Sequence, residues 1–148
     1  MPRRLALSVG FTGNPDQVND MIAKIKVAEE VGVEAIYTAE TWGRDQFSYL
    51  TRIALATSTI KLGTGIAPVY GRSPAVLAMS AATLDELSGG RVILGLGTSG
   101  QRVIEHWHGE QFGKPLQRLR EYCEIISLMV SGKKVFYEGE LFKLQRGF

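Results

Sequence analysis

Three short stretches hold the residue types able to do chemistry. Glu40-Thr41-Trp42-Gly43-Arg44-Asp45 sets a carboxylate beside a hydroxyl, an indole and a charged pair. Gly63-Thr64-Gly65-Ile66-Ala67-Pro68 and Gly95-Leu96-Gly97-Thr98-Ser99-Gly100 are rich in small and hydroxylated residues. Each lies at the carboxyl end of an apolar run of strand type, the edge at which parallel α/β sheets and barrels bind ligands. A carboxylate, an indole, small residues and two hydroxyls along one edge suit a flat, partly polar ligand. Taken alone, Glu40 reads equally well as a solvated loop carboxylate, and Trp42 as a packed core side chain.

The third stretch also fits G-x-G-x-x-G, the glycine pattern that cradles a dinucleotide pyrophosphate. That fingerprint needs a long helix after the last glycine and an acidic residue about 20 positions on, closing the next strand. Here only Gln101 to His108 separate Gly100 from Gly109, and Arg120 and Glu121 fall in mid-helix. The plainer reading is that Gly95 and Gly97 let a strand end come close to a neighbour, with Thr98 and Ser99 in the loop beyond. Glu105-His106-Trp107-His108 could offer metal ligands, but these are the chain's two histidines and no third and fourth ligand accompany them, so no metal is expected. Nucleophile-elbow and P-loop patterns are absent.

The elements that must hold these stretches follow a regular alternation. Apolar runs at Leu5–Val9, Ala35–Ala39, Ile60–Thr64 and Val92–Leu96 recur about every 30 residues, the size of a βα unit. They are apolar throughout, as parallel strands buried on both faces are. Between them, Val18, Met21, Ile22, Ile25 and Ala28 keep helical spacing, with Asn14 as N-cap, Pro15 in the first turn and Gly32 at the end. A second helix is expected over Phe47–Thr57. A third begins at Ser73-Pro74, carries Leu77, Ala81, Leu84 and Leu87, and stops at Gly89-Gly90. A fourth starts near Pro115 and sets Leu116, Leu119, Tyr122, Cys123, Ile126 and Val130 on one face, which makes Cys123 a small core residue. Arg118, Arg120, Glu121 and Glu124 then form a solvated face, not a nucleic-acid footprint. The tail is expected to be a β-hairpin turning at Glu138-Gly139. A βα unit repeated four times and closed by a hairpin fits a doubly wound sheet or part of a (β/α)8 barrel.

With 148 residues the chain is long enough for one ordinary domain and too short for two large ones; it is 45% hydrophobic and 22% charged, with a net charge of +2 spread along its length. Nothing in it points to nucleic acid or a membrane, and no apolar run is long enough to cross a bilayer. The start, Met1-Pro2-Arg3-Arg4-Leu5, lacks a signal-peptide core, and the single cysteine fits a reducing compartment, so a cytoplasmic protein is expected.

The runs IYTAETWGRDQF, IKLGTGIAPVYGRSPAVLAMSAATLDELSGGRVILGLGTSG and VIEHWHGEQFGKPLQRLREY together resemble the bacterial luciferase-like superfamily. Within it they are most similar to the oxidoreductases that use the 5-deazaflavin coenzyme F420, and the likeness runs on to YEGELFKL. The resemblance implies a TIM barrel with the cofactor ring across the carboxyl ends of the strands. It implies a non-prolyl cis peptide in the bulge Thr64-Gly65-Ile66, at the Gly65–Ile66 bond, supporting one ring face. Glu40 would lie near the reacting part of the ring as the catalytic residue, in a positioning role ahead of general acid work. Gly97, Thr98 and Ser99 would approach the cofactor, and Trp42, Trp107 and His108 would line the substrate pocket. His106 falls in the same family-typical segment without a role of its own.

The implied chemistry is hydride transfer between C5 of the deazaflavin and an electrophilic carbon of a small-molecule substrate. Two alternatives stay open: an FMN-dependent monooxygenase of the same superfamily, and a non-catalytic half-barrel that self-associates. A whole barrel of this type takes about 250 residues. The chain is therefore expected to be the amino-terminal half of one luciferase-like barrel domain (1–148), inactive alone and prone to form a dimer.

Overall fold

The computed structural model describes residues 4–10 and 13–147. The opening Met1-Pro2-Arg3 lies outside the described residues. In chain order the elements are β1 (Ala6–Ser8), α1 (Pro15–Glu30), β2 (Ala35–Thr38), α2 (Gln46–Ala56), β3 (Lys61–Thr64), β4 (Ala67–Pro68), α3 (Pro74–Ser88), β5 (Val92–Ile93) and β6 (Leu96–Gly97). Then α4 (Gln101–Val103) continues as a π-helical turn over Ile104–His108, followed by α5 (Pro115–Val130) and a hairpin of β7 (Tyr137–Glu138) and β8 (Lys143–Leu144).

The helix starts follow local chemistry. Asn14 and Gln17 form a reciprocal capping box at α1, each side chain accepting the other's backbone N–H at 3.1 Å. Asp45 accepts from Ser48 N at 2.7 Å to start α2, and Ser73 accepts from Val76 N at 3.2 Å to start α3. Gly89, at φ +70°, closes α3 in the left-handed region that glycine enters without a Cβ penalty.

The strands lie in the order β1-β2-β3-β5, all parallel, so each connection must cross over, and helices provide the crossovers. Ile36, Leu50, Ile53, Leu62, Leu77 and Ile104 are fully buried in one core between sheet and helices. On the opposite face the Tyr37 ring covers Gly63 of β3, where an added side chain would overlap it.

Two expected strands are interrupted at one level. The run beginning at Ile60 resumes as β4 after a bulge, and the run Val92–Leu96 divides into β5 and β6, with β4 and β6 pairing above the break. Thr64 accounts for the division. Its hydroxyl donates to Gly95 O at 2.7 Å and accepts from Gly95 N at 2.8 Å, so a side chain replaces the backbone ladder at that point.

β1 departs from the expectation of burial on both faces. All three of its residues are exposed, because it has one neighbouring strand and nothing among the described residues covers its outer edge.

The face of α5 also differs from its apolar spacing. Cys123 is exposed and not a core residue, and Leu116 and Val130 are exposed with it. The helix is turned instead to bury Glu121 beside Tyr122, Ile125 and Ile126, which corrects the solvated reading of Glu121. A buried polar group must be satisfied, and this one is satisfied by the hairpin. The hairpin turn itself spans 139–142, closed by Gly139 N to Phe142 O at 2.8 Å, later than Glu138-Gly139.

Two more polar residues tie segments distant in sequence. Arg91 donates to the carbonyls of Ala54, Thr57, Ile60 and Ser88 at 2.6–3.1 Å and so caps the carboxyl end of α2. Glu29 accepts from the backbone N–H groups of Ser58, Thr59 and Ile60 with one oxygen. Burial alone would raise its pKa, but these amides and the Thr59 hydroxyl outweigh it and bring the carboxyl down to about 2.

Candidate functional site

The carboxyl ends of β2, β4 and β6 meet at one rim. Gly65–Ile66 is a cis peptide, at the bond the family resemblance implied, and Gly65 N donates to Thr38 O at 2.7 Å, tying the bulge to β2. Across from it, a Cβ added to Gly97 would come within 2.9 Å of Ile66 Cγ1, so β6 approaches the bulge as closely as it does because residue 97 has no side chain. Thr64 is buried with its hydroxyl held by Gly95. Beyond β6, the Thr98 hydroxyl bonds Ser99 O at 3.3 Å, and Ser99 itself sits at φ +58°.

Glu40 follows β2 and meets Arg72, the residue before the Ser73 cap of α3. Arg72 Nη2 donates to Glu40 Oε1 at 2.8 Å, and Nη1 pairs with Oε2, a two-pronged contact suited to the planar guanidinium. The same Nη2 also pairs with Asp45 Oδ2. Gln46 Nε2 donates to Glu40 Oε2 at 3.1 Å and lies 3.5 Å from Ile66 O, joining the carboxylate to the bulge. Arg72 and Glu40 are only 17% and 13% exposed in their side chains, against 44% for Asp45. The bond to Glu40 raises the Arg72 pKa, with burial opposing it. For Asp45 burial works upward, yet Ser48 and the Arg72 charge together hold its carboxyl below the usual range.

A cleft of about 190 Å³ opens over this cluster, lined among others by Glu40, Arg72, Trp42, Trp107 and His108. Both indoles are 63% exposed, so Trp42 is not a core side chain. His108 Nε2 is buried without a hydrogen-bond partner. Its neighbour His106 is exposed and does not line the cleft, so the π-helical turn separates the two histidines. Trp42 also borders a second cleft of about 350 Å³ between the ends of β1 and β2. The larger groove, about 700 Å³ between α3, α5 and the hairpin, is apolar and contains none of the strand-end residues.

The structure thus brings Glu40, Trp42, Trp107 and His108 to one cleft and Gly65, Ile66 and Gly97 to one adjoining shelf. The sequence reading passed over Arg72 and Gln46. The signal for Arg72 lay in its place directly before a Ser-Pro helix start; nothing local marked Gln46.

Known proteins resemble this chain in sequence and fold. The luciferase-like monooxygenase family model matches residues 5–148. A 5,10-methylenetetrahydromethanopterin reductase of Archaeoglobus fulgidus is 42% identical over 120 residues, covering 80% of this chain and 36% of that protein. The solved coenzyme F420-dependent tetrahydromethanopterin reductase of Methanopyrus kandleri superposes with a TM-score of 0.82 at 30% identity, over 96% of this chain and 44% of that one. The FMN complex of the 3,6-diketocamphane monooxygenase oxygenating constituent from Pseudomonas putida superposes at 0.83 with 19% identity, covering 97% of this chain and 44% of that one, a likeness of fold alone. The chain therefore spans well under half the length of these relatives. With a parallel βα sheet of their TIM-barrel type and a family match along all but its first four residues, the chain belongs to the luciferase-like monooxygenase family.

Proposed function

We propose that this chain carries the ring-binding part of a coenzyme F420-dependent oxidoreductase, as one portion of a single barrel domain. The observation that carries the proposal is the shelf of Gly65–Ile66 facing Gly97, with Glu40 at its edge. A flat ring needs a level surface, and the Ile66 side chain lies so close on Gly97 that an added Cβ would come within 2.9 Å of it, which makes bulge and strand one continuous apolar patch. When bound, the deazaflavin would supply hydride transfer at C5, giving hydride to an electrophilic carbon of a second substrate or taking it from a C–H bond of one. The chain's own residues do the rest. Gly65, Ile66 and Gly97 support the ring face, while Thr64 holds the bulge and strand together beneath it. Thr98 and Ser99 border the shelf where the backbone turns. Glu40, held by Arg72 and Gln46, orients the ring edge at the rim. Trp42, Trp107 and His108 exclude water over the reacting face and receive a small-molecule substrate, the unpartnered His108 Nε2 offering it a hydrogen bond.

The relatives' use of F420 supports this cofactor over FMN. The same reading includes a cytoplasmic setting and self-association through the exposed apolar edge at Leu5 and Leu7, which sedimentation of the purified chain would reveal. Equilibrium titration of the 148-residue chain tests the cofactor directly. F420 is expected to bind about tenfold more tightly than FMN, a difference of about 1.4 kcal/mol. Tighter binding of FMN, or binding of neither, would overturn the proposal.

A further inference from the structure

We infer that Arg72 is a positioning residue that acts through Glu40, fixing the direction in which that carboxylate faces the shelf. The inference rests on the ring-binding reading above and adds a residue to it. Glu40 stands on the loop after β2, where no helix or strand restrains its side chain. Its two oxygens are instead held by three donors, two from the Arg72 fork and one from Gln46.

Arg72 is itself held on every side. Its carbonyl accepts from the Tyr122 hydroxyl of α5 at 2.8 Å, and its guanidinium lies 5.2 Å from the Phe47 ring centroid. Its remaining charge is taken up by Asp45, which caps α2. Through its side chain and its carbonyl, Arg72 therefore joins the end of β2 to the start of α2 and to the middle of α5, directly before the start of α3. Arginine is required because a lysine ammonium can hold one carboxylate oxygen but cannot reproduce the planar two-pronged contact. Gln46, nearly fully buried, completes the chain of contacts from Arg72 through Glu40 to the Ile66 carbonyl of the shelf.

Gln46 is also the reporter. Its side-chain N–H groups sense Glu40 directly, so their NMR resonances in the ligand-free chain should move in Arg72→Gln much as they do in Glu40→Gln. Arg72→Lys, which keeps the charge and loses the fork, should move them in the same direction by less, and it decides the matter if Arg72→Gln does not fold. For F420 binding, Arg72→Gln and Glu40→Gln should each weaken affinity about tenfold, and the double variant should lose no more than either, the mark of two residues acting as one. Unmoved Gln46 resonances in the Arg72 variants, or losses that multiply to about a hundredfold in the double variant, would overturn the inference and leave Arg72 a structural tie. Failure of the unmodified chain to bind F420 would overturn the proposed function, and the Gln46 resonances would still judge Arg72.

Discussion

Glu121→Ala is expected to lower the unfolding free energy by about 3 kcal/mol and to release the hairpin from α5. Glu121 is fully buried, and the turn of the hairpin is wrapped around its carboxylate. Oε1 accepts from Glu140 N at 2.9 Å and from Gln117 Nε2 at 2.7 Å, while Oε2 accepts from Phe142 N at 2.9 Å and Leu141 N at 3.1 Å. Successive backbone N–H groups converging on one anion form a small concave nest. Removing the anion leaves those donors facing one another around a void. The ring contacts that depend on the same placement would loosen too: Tyr122 edge-on to Phe142 at 5.3 Å, and Arg118 between Tyr70 and Phe142.

The carboxyl's titration follows from the same contacts. Burial pushes the Glu121 pKa up, but Gln117 and the hairpin amides push harder and leave it below the ordinary value of 4.5. A depressed folded-state pKa contributes stability that is present above the unfolded value and lost as pH falls through the folded one. The gap in stability between the natural chain and Glu121→Ala should therefore be full at neutral pH and narrow on acidification. Denaturant unfolding at several pH values measures this, and a loss under about 1 kcal/mol at neutral pH would contradict it.

Gly95→Ala is expected to cost a similar amount, about 3 kcal/mol, and to spoil the shelf. A Cβ there would overlap the carbonyl oxygen of Thr64. That oxygen belongs to the backbone at the bulge, and it cannot yield without parting Thr64 from Gly95, whose paired hydrogen bonds join the two interrupted strands. Gly100→Ala is the control. Nothing lies within 4 Å of a Cβ at that position, and a change within about 0.5 kcal/mol is expected. Thermal unfolding of the two variants side by side checks the contrast, and equal stability of both would contradict the close approach of the strands.

These two residues also mark how far the amino-acid order could be read. The βα alternation, the caps at Asn14 and Ser73 and the glycine stop at Gly89 were legible because each depends on residues within a few positions of one another. The gathering of Glu40, Trp42 and the glycine stretches at one rim followed from the parallel architecture alone. The bulge was legible only through likeness to a family, since no local rule turns Thr64-Gly65-Ile66 into a cis peptide. Glu29, Arg72, Arg91 and Glu121 escaped because most of their partners lie between 19 and 50 positions away. Spacing rules place charged residues outward, and for Glu121 that rule turned α5 the wrong way and brought Cys123 into a core it does not enter. Polar residues that cross-link distant segments are invisible to periodicity, and here they hold the site.

The most direct test of the account is to map where F420 sits, by following the backbone amide resonances of the chain as the cofactor is added. The largest changes are expected at Gly65, Ile66, Gly97, Thr98 and Ser99, with Glu40 and Gln46 next and little movement in the groove between α3 and α5. Changes centred on Ala78, Met79 and Met129 in that groove, or spread without a centre, would contradict it.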